Sequence, residues 1–131
     1  MNPRPSVRSL AIAATCAVGT FGAGTIALTS VADAATTTLH LTANPKGMLM
    51  FNTKSLQAKA GKVTIVLVNP KSSGVPHGIA IEGKGVDKDS KIAQPGKTVS
   101  VTATLKKGTY TFYCQVDHHE QAGMKGTLKV T

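Results

Sequence analysis

The segment "FYCQVDHHEQAGM", Phe112 to Met124, gathers a thiol, two imidazoles and a thioether into one short stretch: Cys114, His118, His119 and Met124. A further histidine, His77, lies upstream. Soft sulfur together with imidazole selects copper, zinc or iron–sulfur chemistry over hard cations. Two histidines, one cysteine and a weak axial methionine form the ligand pattern of a mononuclear blue-copper electron-transfer site. The thioether is a poor ligand for Cu(II) and so favours Cu(I), and a ligand set held by the fold changes little when one electron is added or removed. In this reading His77 is the upstream ligand and Cys114 ends a strand. The loop after it returns a histidine and then Met124. The spacing leaves that histidine open: His118 gives C-x3-H and His119 gives C-x4-H.

The cysteine count sharpens the question. The chain of 131 residues has only Cys16 and Cys114. Cys16 falls in an uncharged stretch, Leu10 to Val31, which follows a basic start bearing Arg4 and Arg8 and precedes Ala32-Asp33-Ala34. A basic start, an apolar middle and an A-x-A pattern predict a secretory signal peptide over residues 1–34, with cleavage after Ala34. The competing reading is an uncleaved membrane anchor, since about 20 apolar residues span a bilayer. The stretch is rich in Gly, Ala and Thr rather than Leu and Ile, which favours the signal. Thr15 before Cys16 does not suit lipidation. The functional domain is then 35–131, exported to a periplasmic or extracellular compartment, with Cys114 as its lone thiol. In an oxidising compartment cysteines pair, so an unpaired one calls for an occupant such as a metal ion.

Removing Arg4, Arg8 and Asp33 takes the formal charge from +9 to +8. The positive charge of 35–131 is all lysine and dispersed, and aromatics are few. Nucleic-acid binding wants clustered arginine and stacking aromatics, so that class is set aside. A dispersed positive field suits steering toward an acidic protein or an anionic surface; the expected partner is a redox protein acidic at its docking face. The domain is expected to be monomeric, and to meet a membrane only if residues 1–34 are retained.

The elements that must position these side chains read as strands. "TTLHLTA" places Leu39, Leu41 and Ala43 on one face and His40 on the other; "KVTIVLVN" is apolar on both faces. "HGIAIE" aligns His77, Ile79 and Ile81, and "TVSVTATL" aligns Val99, Val101, Ala103 and Leu105. "TYTFYC" aligns Tyr110, Phe112 and Cys114, and "GTLKVT" aligns Leu128 and Val130. Alternation of this kind marks half-buried strands. Turns at "NPKG", "KAGK", "NPKSSG", "GKG", "QPGK" and "KKG" separate them. The class is all-β, an antiparallel sandwich or barrel. Gly83 to Gly96 reads mainly as loop. His77 and Cys114 fall on inward parity at strand ends, beside an aliphatic core, whereas His40 reads as a surface residue.

The stretch "GTYTFYCQVDHHEQAGMKGTLKV" resembles the C-terminal copper loop of the cupredoxins, the plastocyanin/azurin-type copper proteins, which often carry C-x4-H-x4-M. "GKVTIVLVNPKSSGVPHGIAIEG" resembles their segment bearing the upstream histidine. The likeness covers essentially all of 35–131. It implies a Greek-key β-sandwich with one copper ion at one end, held by His77, Cys114, His119 and Met124, with His118 in a turn position. It also implies a docking end ringed by Pro76, Ala122 and Gly123, and a flank marked by Tyr113. The chain departs from the pattern at Gly78. Many relatives have asparagine directly after the upstream histidine, tying the two ligand loops together. The basic charge also departs from the acidic docking patches of plastocyanins, which points away from a photosynthetic partner.

Two functions use the same residues: a one-electron carrier, and a copper scavenger, store or chaperone. A dinuclear copper centre needs two cysteines, and a multicopper oxidase needs more histidines than His40, His77, His118 and His119. A thioether is a poor zinc ligand. A Cys–His nucleophile lacks an orienting third group. The chain is therefore not expected to be an enzyme.

Overall fold

The computed structural model describes residues 35–131; the expected signal segment, 1–34, lies outside them. The alternating stretches form strands as their pattern requires. They are β1 (Thr36–Thr42), β2 (Ser55–Ala58), β3 (Gly61–Val68), β4 (Ala80–Gly83), β5 (Val86–Asp89), β6 (Thr98–Leu105), β7 (Gly108–Tyr113) and β8 (Lys125–Val130). Among the described residues a single 3-10 turn spans Lys71–Ser73. No helix among the described residues is long and apolar enough to cross a membrane.

The strands make a β-sandwich. One sheet has the order β1-β3-β6 and the other β2-β8-β7-β4-β5. The expected antiparallel arrangement needs one correction: β1 pairs with β3, and β2 with β8, in parallel. β1 and β2 lie in different sheets, so the chain crosses between the sheets after β1. The crossing is made through Ala43, which bridges Phe51. β3 is central in its sheet, but only one of its faces is buried, and Val68 is exposed on the other. Gly83 to Gly96 is not wholly loop, since β5 lies within it.

The inward residues meet between the sheets. Leu41, Val63, Ile65, Leu67, Val101, Ala103 and Leu105 face Ile81, Tyr110, Phe112, Leu128 and Val130, all buried, with Val99 and Leu39 half-buried at the margin. Removing such side chains from water is the main driving term of folding. Phe112 packs against Phe51 with ring centroids 5.8 Å apart, and Gly126 leaves the space that the Phe112 ring occupies. Tyr110 buries its ring and satisfies its hydroxyl, which donates to Lys106 O at 2.9 Å.

Topology decides what lies at each end. β1 and β3 run the same way, β6 runs against them, and β4 and β7 are antiparallel neighbours. The C-terminal ends of β1, β3, β5 and β7 therefore share one end of the sandwich with the N-terminal starts of β4, β6 and β8. The loops 69–79, 90–97 and 114–124 converge there.

Candidate metal centre

His77 comes from the first of these loops. It is fully buried and forms an isolated bridge with Ala93, its N–H donating to Ala93 O at 3.0 Å. It thus precedes β4 rather than belonging to it. Two buried polar residues unremarked in the sequence hold this loop. Asn69 Nδ2 donates to Val75 O and to Ala93 O, each at 2.8 Å. Ser73 Oγ donates to Asn69 Oδ1 at 2.6 Å. A buried amide with its donors satisfied fixes backbone position. The only hint in the sequence is an "NP" at a strand end, which reads as an ordinary turn.

Cys114 follows β7 directly and is 1% exposed. Its loop closes on itself: Cys114 N–H donates to Met124 O, His119 N–H to Val116 O and Met124 N–H to His119 O, each at 3.0 Å. Nδ1 of His119 lies 3.5 Å from Cys114 Sγ, and Nδ1 of His77 lies 3.9 Å from it. The two imidazole rings are tilted at 58° with centroids 5.2 Å apart. One donor atom from each of His77, Cys114 and His119 falls within 4.8 Å of the others. Met124 is fully buried beside them, while His119 is only half-buried and gives the cluster its edge to solvent.

His118 does not join this group. It is exposed, with φ +49°, the left-handed conformation that side chains with a Cβ resist. Its backbone makes the turn instead, its carbonyl accepting from Ala122 N–H at 3.0 Å. His118→Gly is expected to leave Cu(II) binding intact and to stabilise the fold slightly, by roughly 1 kcal/mol at most, seen as a small rise in the unfolding midpoint. His119→Ala should leave the cluster short of a donor. Parallel Cu(II) titrations and thermal melts of the two variants check both; loss of binding in His118→Gly instead would make His118 the ligand.

The electrostatics suit a cation that binds neutral donors. Burial holds the imidazole of His77 down to about 4, with His119 adding to the effect. Burial also lowers His119, partly opposed by Asp117. Both rings are therefore lone-pair donors near neutral pH. Burial pushes the Cys114 thiol up, countered by the backbone N–H groups of Gly78 and Val116. His77 Nε2 is buried without a hydrogen-bond partner, so packing and the loop clamp orient this ring. Two neutral imidazoles, a buried thiol and a buried thioether fit a soft or borderline ion, as copper is.

The expected docking residues separate into two places. Pro76, Ala122 and Gly123 belong to the converging loops, Ala122 exposed and the others half-buried. Tyr113 lies half-buried on β7, in a row with Ala80 and Asp89, while Thr111, Glu82 and Asp87 form the next row. Burial and then Asp89, Glu82, Asp87 and Glu120 raise its phenol. Four of the five acids of 35–131 thus surround Tyr113, and that flank does not suit an acidic partner. His40 is exposed on the far sheet.

The family profile described as copper binding proteins, plastocyanin/azurin family, matches residues 38–131. Plastocyanin of Lactuca sativa is 36% identical over 96 residues, a match covering 64% of this chain and 90% of that protein. Plastocyanin A'/A'' of Nicotiana tabacum is 39% identical over 56 residues, covering 43% of this chain and 54% of that protein. Among solved structures, auracyanin B superposes with a TM-score of 0.64 at 28% identity, covering 75% of this chain and 90% of that one.

Proposed function

This chain belongs to the plastocyanin/azurin family of copper-binding proteins, and on that premise we propose that it is a mononuclear blue-copper protein carrying one electron at a time between redox partners. His77, Cys114 and His119 are its ligands in this reading, with Met124 in the axial place. The observation that carries it is the approach of both Nδ1 atoms to one buried sulfur, at 3.5 and 3.9 Å, from two separately anchored loops. Copper bound there supplies a Cu(I)/Cu(II) couple. The protein's part is to hold the donors fixed, exclude water and leave the His119 edge as the short path to a partner.

The alternative, a copper store or chaperone, requires accessible donors for ligand exchange. His77, Cys114 and Met124 are each at most 1% exposed, which favours the carrier. Cu(II) titration with visible absorption and EPR tests the reading. An intense blue band with narrow copper hyperfine splitting is the expected result, and a pale product with ordinary copper EPR overturns it. Rapid copper release to an apo-acceptor would turn the assignment to the chaperone.

We also infer export of 35–131 after cleavage behind Ala34, which the mass of the secreted form would check. We infer a monomer that docks through the end carrying Pro76, Ala122 and Gly123. The loops and strand starts at that end carry the exposed lysines Lys71, Lys91 and Lys97, which would steer an acidic partner toward His119. Replacing these lysines by glutamate should slow association by about tenfold or more at low ionic strength, with the difference shrinking as salt is added. Stopped-flow reduction across a salt series measures this. The partner would be met at the loop end and not on the acidic flank of Tyr113.

A further inference from the structure

Gly78 stands where the resemblance leads one to expect a side chain, and its backbone is not in the left-handed region that would demand glycine. Instead, Gln115 covers its bare Cα. A Cβ on Gly78 would lie 2.5 Å from Gln115 Oε1, 2.6 Å from Cδ and 2.7 Å from Nε2. The amide of the residue after the cysteine thus lies directly over the residue after the histidine. Gln115 Nε2 donates to Ser90 O at 2.8 Å. Ser90 is bonded in turn to Ile79, in the His77 loop, through both its backbone and its side chain: its N–H donates to Ile79 O at 2.9 Å, and its Oγ accepts from Ile79 N–H at 3.0 Å. Inside this closed circuit Gly78 N–H donates to Cys114 Sγ at 3.4 Å.

We propose that Gln115 is a positioning residue, a strap from the Cys114 strand end across Gly78 to Ser90 that fixes the Gly78 N–H on the cysteine sulfur. Its Oε1 is buried with no partner. The amide is thus only half satisfied, through Nε2 on Ser90 O, and an unpaired buried acceptor calls for a compensating role. The tie between the two ligand loops is made from the cysteine side, by a side chain lying over a bare Cα. Its consequence is chemical as well as mechanical. An N–H donor draws electron density from the sulfur, and hydrogen bonding around the cysteine sulfur tunes the potential of a copper–thiolate site. Only this last step rests on the copper reading.

The test is a double-mutant cycle of Gln115→Ala and Gly78→Ala, with Gln115→Met as a filler that keeps bulk but cannot donate. In the metal-free domain, amide exchange at Gly78 should quicken by about fivefold in Gln115→Ala, the equivalent of one net hydrogen bond, and similarly in Gln115→Met. Gly78→Ala, which must push the amide aside, should do the same alone and add little in the Gln115→Ala background. In the copper-loaded domain each single variant should have a lower midpoint potential. Unchanged Gly78 exchange in Gln115→Ala, or additive effects of the two alanines, would overturn the strap whether or not the site takes copper. Altered exchange in a domain that never turns blue would leave the strap standing and overturn the electron-carrier reading.

Discussion

Cys114→Ser is expected to give a colourless domain that no longer accepts or donates an electron reversibly, while its metal-free fold persists. The sulfur is 1% exposed and lies at the focus of the cluster, with the two Nδ1 atoms at 3.5 and 3.9 Å and Gly78 N–H at 3.4 Å. A serine hydroxyl can accept that N–H and fill most of the volume, so packing changes little. It cannot replace a thiolate. The alcohol stays protonated at any pH the fold survives, and hard oxygen does not lend the electron density that gives a copper–sulfur bond its intense absorption. Visible absorption after Cu(II) addition should lose the blue band completely, and EPR should show ordinary copper or none. Circular dichroism of the metal-free variant should match the parent. A Cys114→Ser domain that remained blue would refute the ligand assignment.

The second large effect concerns pH. Without metal, the domain should be most stable between about pH 6.5 and the range where cysteine ionises. It should lose up to about 3 kcal/mol as the pH falls from 7 toward 4. The sign follows from His77. Its imidazole titrates at about 4 in the fold, because burial and the neighbouring His119 disfavour the cation, and at 6.5 when unfolded. Between these values the unfolded chain binds the extra proton, so acid favours unfolding. The stability is fully present above about 6.5 and is lost progressively on the way down to about 4. His119 is shifted in the same direction and adds to the slope. Cys114, raised by burial, acts at the other limit: the unfolded thiol ionises first, so stability declines again in alkali. Urea midpoints across a pH series measure the slope, and His77→Gln should flatten its acid limb. An equally steep limb in that variant would place the cause elsewhere.

Much of this was legible because alternation is a local signal. Leu41, Ile81, Val101, Phe112 and Leu128 each stand on the face their strand's parity assigns, and the inward parity of Cys114 follows from the same rule. β2 and β5 were not legible. "SLQA" is too short and "VDKD" too charged to show a buried face, and both are formed by pairing at sheet edges. The parallel pairings of β1 and β2 depend on partners far along the chain, which no local pattern reveals. In the site, the residue types and spacing marked the donors but could not separate His118 from His119. That distinction is the direction of one backbone turn with φ +49°. Gln115, Ser90 and Asn69 carried no signal of their own, since their roles exist only where two loops already touch.

The loop from Cys114 to Met124 is closed at its base by the bond from Cys114 N–H to Met124 O, just beyond the pairing of Tyr113 with Lys125. The register of β7 against β8 is therefore settled before the loop begins. Insertions, deletions or swaps between its ends are therefore expected to leave the register of the sheet unchanged. A change confined to this one hairpin would alter the surroundings of Cys114, His119 and Met124 while leaving the sandwich, and His77 with it, in place.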